Sequence, residues 1–405
     1  MSQRIWPALL ATGLVVCSAS GATGQVRRFD FTGTAPDPWE QVAPGQAFDS
    51  ATGFGFEPAA DGVSAFSLVV PEGDYRVTVT PVAGEHATVW AETRRLMLVS
   101  ASTASSFTVN VRRPGLPPPP PNAPGGDRVR LNDRETGSRS WDDRLTLQID
   151  GSVAFLDIAP VEGPRLFLLG DSTVADQAGG DFASWGQMLP SFIDESVAVA
   201  NHAESGETLK SFLTSLRLDK ALSQMRPGDV VLIQFGHNDS KTQWPQTHAG
   251  AATTFRSYLR VYIDEIRRRG TLPVLVTSPH RRTFGTDGRI QNSHGDYPDA
   301  VRAVAGERNV ALIDLTEISA RLYEALGPDR SRSAFGDHGR DATHHNLYGA
   351  SLLASAVAGR LREILPGGGP VRPDVAGLDP DRPPPPSGIT LPATADLPAN
   401  RPAGS

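Results

Sequence analysis

The spacing of apolar positions changes character near Pro160. Upstream, between positions 26 and 160, short apolar runs are separated by turn residues and no 3.6-residue period develops, which predicts an all-β region. Ser67–Val70 and Tyr75–Thr80 flank Pro71-Glu72-Gly73-Asp74, a hairpin signature with alternation in its second arm. Further strands are expected over Ala87–Trp90, Leu96–Val99, Phe107–Val111, Leu145–Ile149 and Ala154–Ile158, and short strands at this spacing suggest a β-sandwich. The run Pro117–Pro121 with Asn122-Ala123-Pro124-Gly125-Gly126 reads as an exposed polyproline-type excursion.

Downstream, apolar runs of strand length alternate with longer amphipathic stretches, the pattern of an α/β domain over 161–365. Strands are predicted over Leu166–Leu169, Val197–Ala200, Val230–Phe235, Pro273–Thr277 and Val310–Leu315. Helices are predicted over Trp185–Ile193, Leu209–Leu222, Ala252–Arg269, Pro298–Glu307 and Asn346–Ile364. Buried parallel strands joined by helices give a three-layer α/β/α sandwich that binds ligands at the carboxyl ends of its strands. Positions 366–405 carry Pro383–Pro386 and no apolar pattern, so a disordered Pro-rich tail is expected there.

The first 24 residues read as a secretory signal peptide: Arg4 as a basic start, an apolar stretch Ile5–Val16, then small residues through Gly24. Cleavage after Gly24 would discard Cys17. The alternative is a lipoprotein anchor at Cys17, although Val16 stands where such anchors place a small residue. No later apolar run approaches the ~20 residues needed to span a bilayer, so a secreted or periplasmic protein, free of membrane after cleavage, is expected.

Composition narrows the classes further. With 39% hydrophobic residues in 405, the chain can bury real cores and is not a disordered polymer. A formal charge of −7 without a basic stripe argues against nucleic acid as a partner. One cysteine rules out a disulfide framework or a cysteine-rich zinc site.

Directly after the first α/β strand comes Gly170-Asp171-Ser172-Thr173, which puts a hydroxyl where a nucleophile belongs; a turn or helix N-cap is the plainer reading. After the second strand, Asn201-His202-Ala203-Glu204-Ser205-Gly206 offers a glycine whose backbone can approach a ligand closely, or simply turns the chain. After the third, Gly236-His237-Asn238-Asp239 offers an amide able to donate to an oxyanion, or an Asx-turn with a capping Asp239. Before the last helix, Asp341-Ala342-Thr343-His344 puts an acid and an imidazole on one loop, where Asp341 can orient His344 toward Ser172. A surface ion pair is one alternative there. Metal ligation by His338, His344 and His345 is another, which His237 and His280 would join only by converging on the same point.

Serine, glycine, asparagine and an Asp-x-x-His pair follow one another on four strand-end loops. In this the chain resembles the SGNH (GDSL) hydrolase superfamily, whose four residues match Ser172, Gly206, Asn238 and His344. It looks most like the bacterial rhamnogalacturonan acetylesterases, through Gly170–Gln177, Ser184–Leu189, Asn201–Gly206, Phe235–Asp239 and Asp341–Asn346. The segment Phe29–Glu57 also looks like the opening of the galactose-binding-like β-sandwich that precedes the catalytic domain in such proteins. The resemblance implies a flavodoxin-like SGNH fold with Ser172 as nucleophile, His344 as base and Asp341 as its orienting partner. It implies an oxyanion hole built from the N–H groups of Ser172 and Gly206 and the Asn238 amide, with no metal or cofactor. Glu207-Thr208 departs from the pattern, where many relatives carry an uncharged or basic residue followed by serine.

The expected activity is removal of acetyl groups from plant cell-wall polysaccharide, pectic rhamnogalacturonan first and xylan second, through an acyl-serine. A general SGNH lipase or thioesterase, or a non-catalytic polysaccharide-binding protein, are the alternatives. Substrate-binding residues and oligomeric state are not readable from the sequence.

Overall fold

Five strands of the α/β region, β11 (Arg165–Gly170), β12 (Ala198–Asn201), β13 (Val230–Gln234), β14 (Leu272–Val276) and β15 (Ala311–Ile313), form a parallel sheet in the order β15-β14-β13-β11-β12. The chain winds outward from β11 in both directions, the doubly wound flavodoxin-like order with its switch point between β11 and β13. The computed structural model describes residues 24–58 and 64–391, so the predicted signal through Thr23, Cys17 within it, and positions 392–405 lie outside the described residues.

Side-chain alternation on these strands explains the three layers. Leu166, Leu168, Leu232 and Val274 point into one core, against the helices Trp185–Met188, Leu315–Arg330 and Leu347–Ile364. Phe167, Leu169, Val231 and Leu275 point into the other, against Leu209–Thr214, Arg217–Gln224, Arg256–Arg267 and Tyr297–Arg308. Strands covered on both faces must be apolar throughout, which is why each reads as an uninterrupted run.

The upstream strands are β1 (Arg27–Asp30), β2 (Glu40–Gln41), β3 (Phe54–Pro58), β4 (Ser64–Val69), β5 (Gly73–Pro81), β6 (Ala87–Ala91), β7 (Arg95–Ala101), β8 (Ser105–Val111), β9 (Arg144–Gly151) and β10 (Val153–Val161). An antiparallel sheet β3-β4-β9-β6-β7 packs on β8-β5-β10-β1-β2 around Phe29, Phe66, Val77, Val109 and Leu147. The second of these sheets does not end there. Val109 of β8 pairs in parallel with Val199 of β12, so one ten-stranded sheet runs through both regions. The rhythm change at Pro160 therefore marks a change of strand direction and covering within a continuous sheet.

Three expectations are corrected. Residues 366–391, expected to be disordered, pack on the domain: Val371 and Val375 are buried in the first core, and Tyr348 Oη donates to Pro384 O at 2.6 Å. Scattered single apolar residues between prolines carry that packing, and no periodic pattern could reveal it. The helix Leu315–Arg330 was not expected, because its apolar start is continuous with the preceding strand and only Asp314, accepting from Glu317 N–H at 3.3 Å, separates them. The helix expected over Leu209–Leu222 breaks at Leu216, whose φ is +64°.

Candidate active site

The loops after β11, β12 and β13 emerge side by side at the carboxyl edge of adjacent strands. Gly170 closes β11 where a Cβ would lie 2.6 Å from Val174 and 3.0 Å from Gln234 O, so only glycine allows the chain to turn so tightly against β13. Asp171 then accepts from the Thr173 N–H at 3.0 Å and its hydroxyl at 2.9 Å. A buried relay continues from Thr173: Gln234 donates to Thr173 Oγ1 at 2.6 Å and accepts from Trp185 Nε1 at 2.8 Å. The turn reading of Gly-Asp-Ser thus holds for Asp171, while the Ser172 side chain is left for another partner.

That partner is His344. The Ser172 hydroxyl lies 3.0 Å from His344 Nε2, and His344 Nδ1 lies 2.9 Å from Asp341 Oδ2. Asp341 also accepts the backbone N–H groups of Thr343 at 2.6 Å and His344 at 2.9 Å. Burial pushes the Asp341 carboxyl up, but these hydrogen bonds and the imidazole outweigh it and hold it below the usual carboxylate range. An ionised Asp341 fixes Nδ1 as the protonated nitrogen and leaves Nε2 free to accept from Ser172. Phe182 meets the imidazole edge-on, with ring centroids 6.1 Å apart.

The loop carrying Asp341 is held from the end of β14. Arg282 N–H donates to Ala342 O at 2.7 Å, its guanidinium to Gly339 O at 3.1 Å, and Arg281 Nε to Thr343 Oγ1 at 3.2 Å. Sequence reading missed both arginines, although their place just past the fourth parallel strand was a usable signal.

Gly206 has φ +87°, which a larger residue would strain. Among the described residues, the backbone N–H groups of Ser172 and Gly206 have no hydrogen-bond partner within the chain. The Gly206 loop is tied to the Ser172 loop by Glu204 N–H donating to Gly170 O at 3.1 Å and by Gln177 Nε2, which donates to Ser172 O at 2.6 Å and to Ser205 Oγ at 3.4 Å. Asn238 gives one amide N–H to Glu207 O at 3.1 Å and accepts from Lys241 Nζ at 2.7 Å, so its side chain does not form an Asx-turn. Asp239 does cap, but across elements, accepting from Leu209 N–H and Gly236 N–H at 3.0 Å each.

The departure at Glu207-Thr208 is structural. Thr208 caps the following helix by accepting from Ser211 N–H at 3.0 Å, and Glu207 accepts from Ser211 Oγ at 2.5 Å and Arg217 Nε at 3.1 Å. Arg217, almost fully buried, also pairs with Glu135 from the upstream region.

The histidines flanking His344 diverge from it. His345 Nε2 lies 2.6 Å from the Tyr323 hydroxyl in the core, and His338 is exposed beside Asp181. His237 and His280 both pack on the His294 ring, at 4.3 and 5.8 Å between centroids. Among the described residues no group of three or more His, Cys, Asp or Glu is arranged to hold a metal ion.

A nucleophile hydrogen-bonded to an imidazole that is itself oriented by a carboxylate can open an ester through a covalent acyl intermediate. Comparison with known proteins agrees with that chemistry. The model of the GDSL-like lipase/acylhydrolase family matches residues 168–352. The rhamnogalacturonan acetylesterase RhgT of Bacillus subtilis is 38% identical over 213 residues, covering 49% of this chain and 90% of that protein. The rhamnogalacturonan acetylesterase of Emericella nidulans is 26% identical over 210 residues, covering 47% and 82%. The crystal structure of YxiM from Bacillus subtilis covers 85% of this chain and 100% of its own, with TM-score 0.51 at 24% identity, so the fold is shared across both regions.

Proposed function

From the premise that this chain belongs to the GDSL-like lipase/acylhydrolase family and is a serine esterase, we propose that it is a secreted carbohydrate O-acetylesterase acting on acetylated plant cell-wall polysaccharide, pectic rhamnogalacturonan before xylan. The observation that carries the reading is the unbroken Ser172–His344–Asp341 chain of hydrogen bonds at 3.0 and 2.9 Å. The names of the relatives supply the acetyl group and the sugar.

In the mechanism, Ser172 Oγ attacks the acetyl carbonyl as His344 Nε2 takes its proton, and Asp341 steadies the imidazolium that forms. The tetrahedral oxyanion receives the N–H groups of Ser172 and Gly206 and the second amide N–H of Asn238. His344 then protonates the departing sugar hydroxyl. Water, deprotonated by the same imidazole, attacks the acetyl-serine and releases acetate. The chemistry belongs to residues 161–365, with residues 26–160 as an accompanying β-sandwich and 1–24 as the signal.

The deciding experiment is acetate release from a panel of acetylated pectins, rhamnogalacturonans and xylans, with Ser172→Ala as control. Acetate from a polysaccharide with wild type and none with the variant is expected. Hydrolysis confined to long-chain acyl esters would overturn the reading.

A further inference from the structure

The carboxyl edge of the parallel sheet does not stop at β12. β8 runs parallel to it, so the residue just past β8 stands on the same edge as the loops carrying Ser172, Gly206 and Asn238. That residue is Arg112. It is 97% buried by its 3% relative exposure, its guanidinium lies over the Trp141 ring at 4.4 Å, and among the described residues its Nε and Nη1 have no hydrogen-bond partner. An unpaired buried guanidinium is expensive unless something completes it.

The surrounding carboxylates do not complete it. Asp176 is paired with Arg95 at 2.6 Å, Glu204 with Arg134 at 2.5 Å, and Glu135 with Arg217. Glu92 takes the Thr146 N–H at 3.1 Å. Burial, the Arg95 charge reinforcing it, pushes Arg112 down to about 9, which still leaves it cationic at neutral pH. Arg112 lines a pocket of about 130 Å³ with Ser138, Ser140 and the ion-paired Glu135, Asp176 and Glu204, and Gln177 and Ser205 are also part of its wall. Those two wall residues belong to the proposed catalytic loops: Gln177 holds Ser172 O, and Ser205 precedes Gly206.

We propose that this pocket is a carboxylate subsite, in which Arg112 binds the acid group of a uronic acid in the polysaccharide while an acetyl ester on that sugar or its neighbour reaches Ser172. A guanidinium stacked on an indole and left, among the described residues, without a carboxylate hydrogen bond of its own keeps a positive charge beside the pocket that suits an acid group, and the hydroxyls beside it suit sugar oxygens. The inference deepens the acetylesterase reading and rests on it for the ester end alone. It makes the upstream region a contributor to specificity toward acidic over neutral glycans.

The test is titration calorimetry on the full chain carrying Ser172→Ala, with tri-galacturonate and its fully methyl-esterified form as ligands. At least tenfold tighter binding of the free acid is expected, and Arg112→Gln in the same background should bring the two ligands within about twofold. Equal affinities, no measurable binding of either ligand, or a preference that survives in a folded Arg112→Gln chain would overturn the subsite; the first two outcomes need no variant of Arg112. Acetate release by the wild-type enzyme separates the two readings. Release from acidic and methyl-esterified acetylated pectin at equal kcat/KM overturns the subsite and leaves the esterase reading standing, whereas a carboxylate preference in binding without acetate release does the reverse.

Discussion

Lys241 Nζ donates to Asn238 Oδ1 at 2.7 Å, while the same amide gives one N–H to Glu207 O. The ammonium fixes which end of the amide faces inward and, by drawing charge toward Oδ1, strengthens the remaining N–H as a donor. Asn238→Ala should lower kcat by ~10²–10³, the usual cost of one oxyanion donor, with KM for p-nitrophenyl acetate much less changed. Lys241→Met should lower kcat about tenfold, since a hydrogen bond to a charged group is worth about 1.5–3 kcal/mol, and Lys241→Arg should restore part of it. Normal kcat in a folded Lys241→Met chain would reduce the lysine to a loop contact.

Ser172→Ala should abolish hydrolysis of p-nitrophenyl acetate with little change in melting temperature, because among the described residues the half-buried hydroxyl makes its hydrogen bond to His344 alone. Asp341→Asn should cost on the order of 10⁴ in kcat, the penalty of a wrong imidazole tautomer in serine hydrolases. A loss under tenfold would mean that His344 is oriented from elsewhere.

Legibility followed the range of the interactions. Ser172, Gly206 and Asn238 each follow an apolar run and the Asp341–His344 pair precedes an amphipathic helix, so the period of the sequence located them, and the fold then brought Ser172 to His344 across 172 positions. Lys241 lies on the Asn238 loop and Arg281 on the loop after β14, but neither carries a motif of its own. Arg112 and Glu135 were invisible for another reason. Both come from the upstream region, and the single bridged pair that joins β8 to β12, Val109 with Val199, leaves no pattern in either strand. The ordered stretch 366–391 escaped for want of periodicity, its contacts being made one residue at a time.

Glu135→Ala should be strongly destabilising. Burial pushes the Glu135 carboxyl up, but its pairing with Arg217 outweighs this and keeps it ionised, and it also takes Trp141 Nε1 at 3.0 Å. Removing it strands a guanidinium that is 1% exposed, with Glu207 as its remaining ion-pair partner. A loss of about 3–5 kcal/mol is expected for breaking such a buried pair, read by chemical denaturation. A loss below about 1 kcal/mol would show that the two regions are not held together through Arg217.

Deleting residues 366–405 should lower stability through lost apolar burial, not through lost ion pairing. Val371 and Val375 are 6% and 7% exposed, and burying each is worth about 1.5–3 kcal/mol. The Arg321–Asp381 pair lies in solvent, where water and salt screen it, and should contribute little. Asp381→Ala should therefore leave the melting temperature nearly unchanged, while Val371→Ala with Val375→Ala reproduces most of the truncation. The reverse ranking would assign the anchoring to charge.

Two buried carboxyls should make the protein lose stability as pH rises. Burial pushes Asp171 up to about 6; burial, with the neighbouring Asp171 adding to it, pushes Asp239 up to about 8. Both values lie above the ~4 of an unfolded aspartate, so the folded chain binds more protons than the unfolded chain between those limits. Stability from these groups is full below pH ~4 and is lost as pH climbs, through about 6 for Asp171 and about 8 for Asp239. Asp239→Asn should be less stable overall, since its amide end faces one of the two N–H donors that the carboxylate accepts. Its melting temperature should nevertheless fall less steeply than wild type between pH 6 and 8, and it is the slope that tests the argument, because a purely structural loss would lower both curves in parallel.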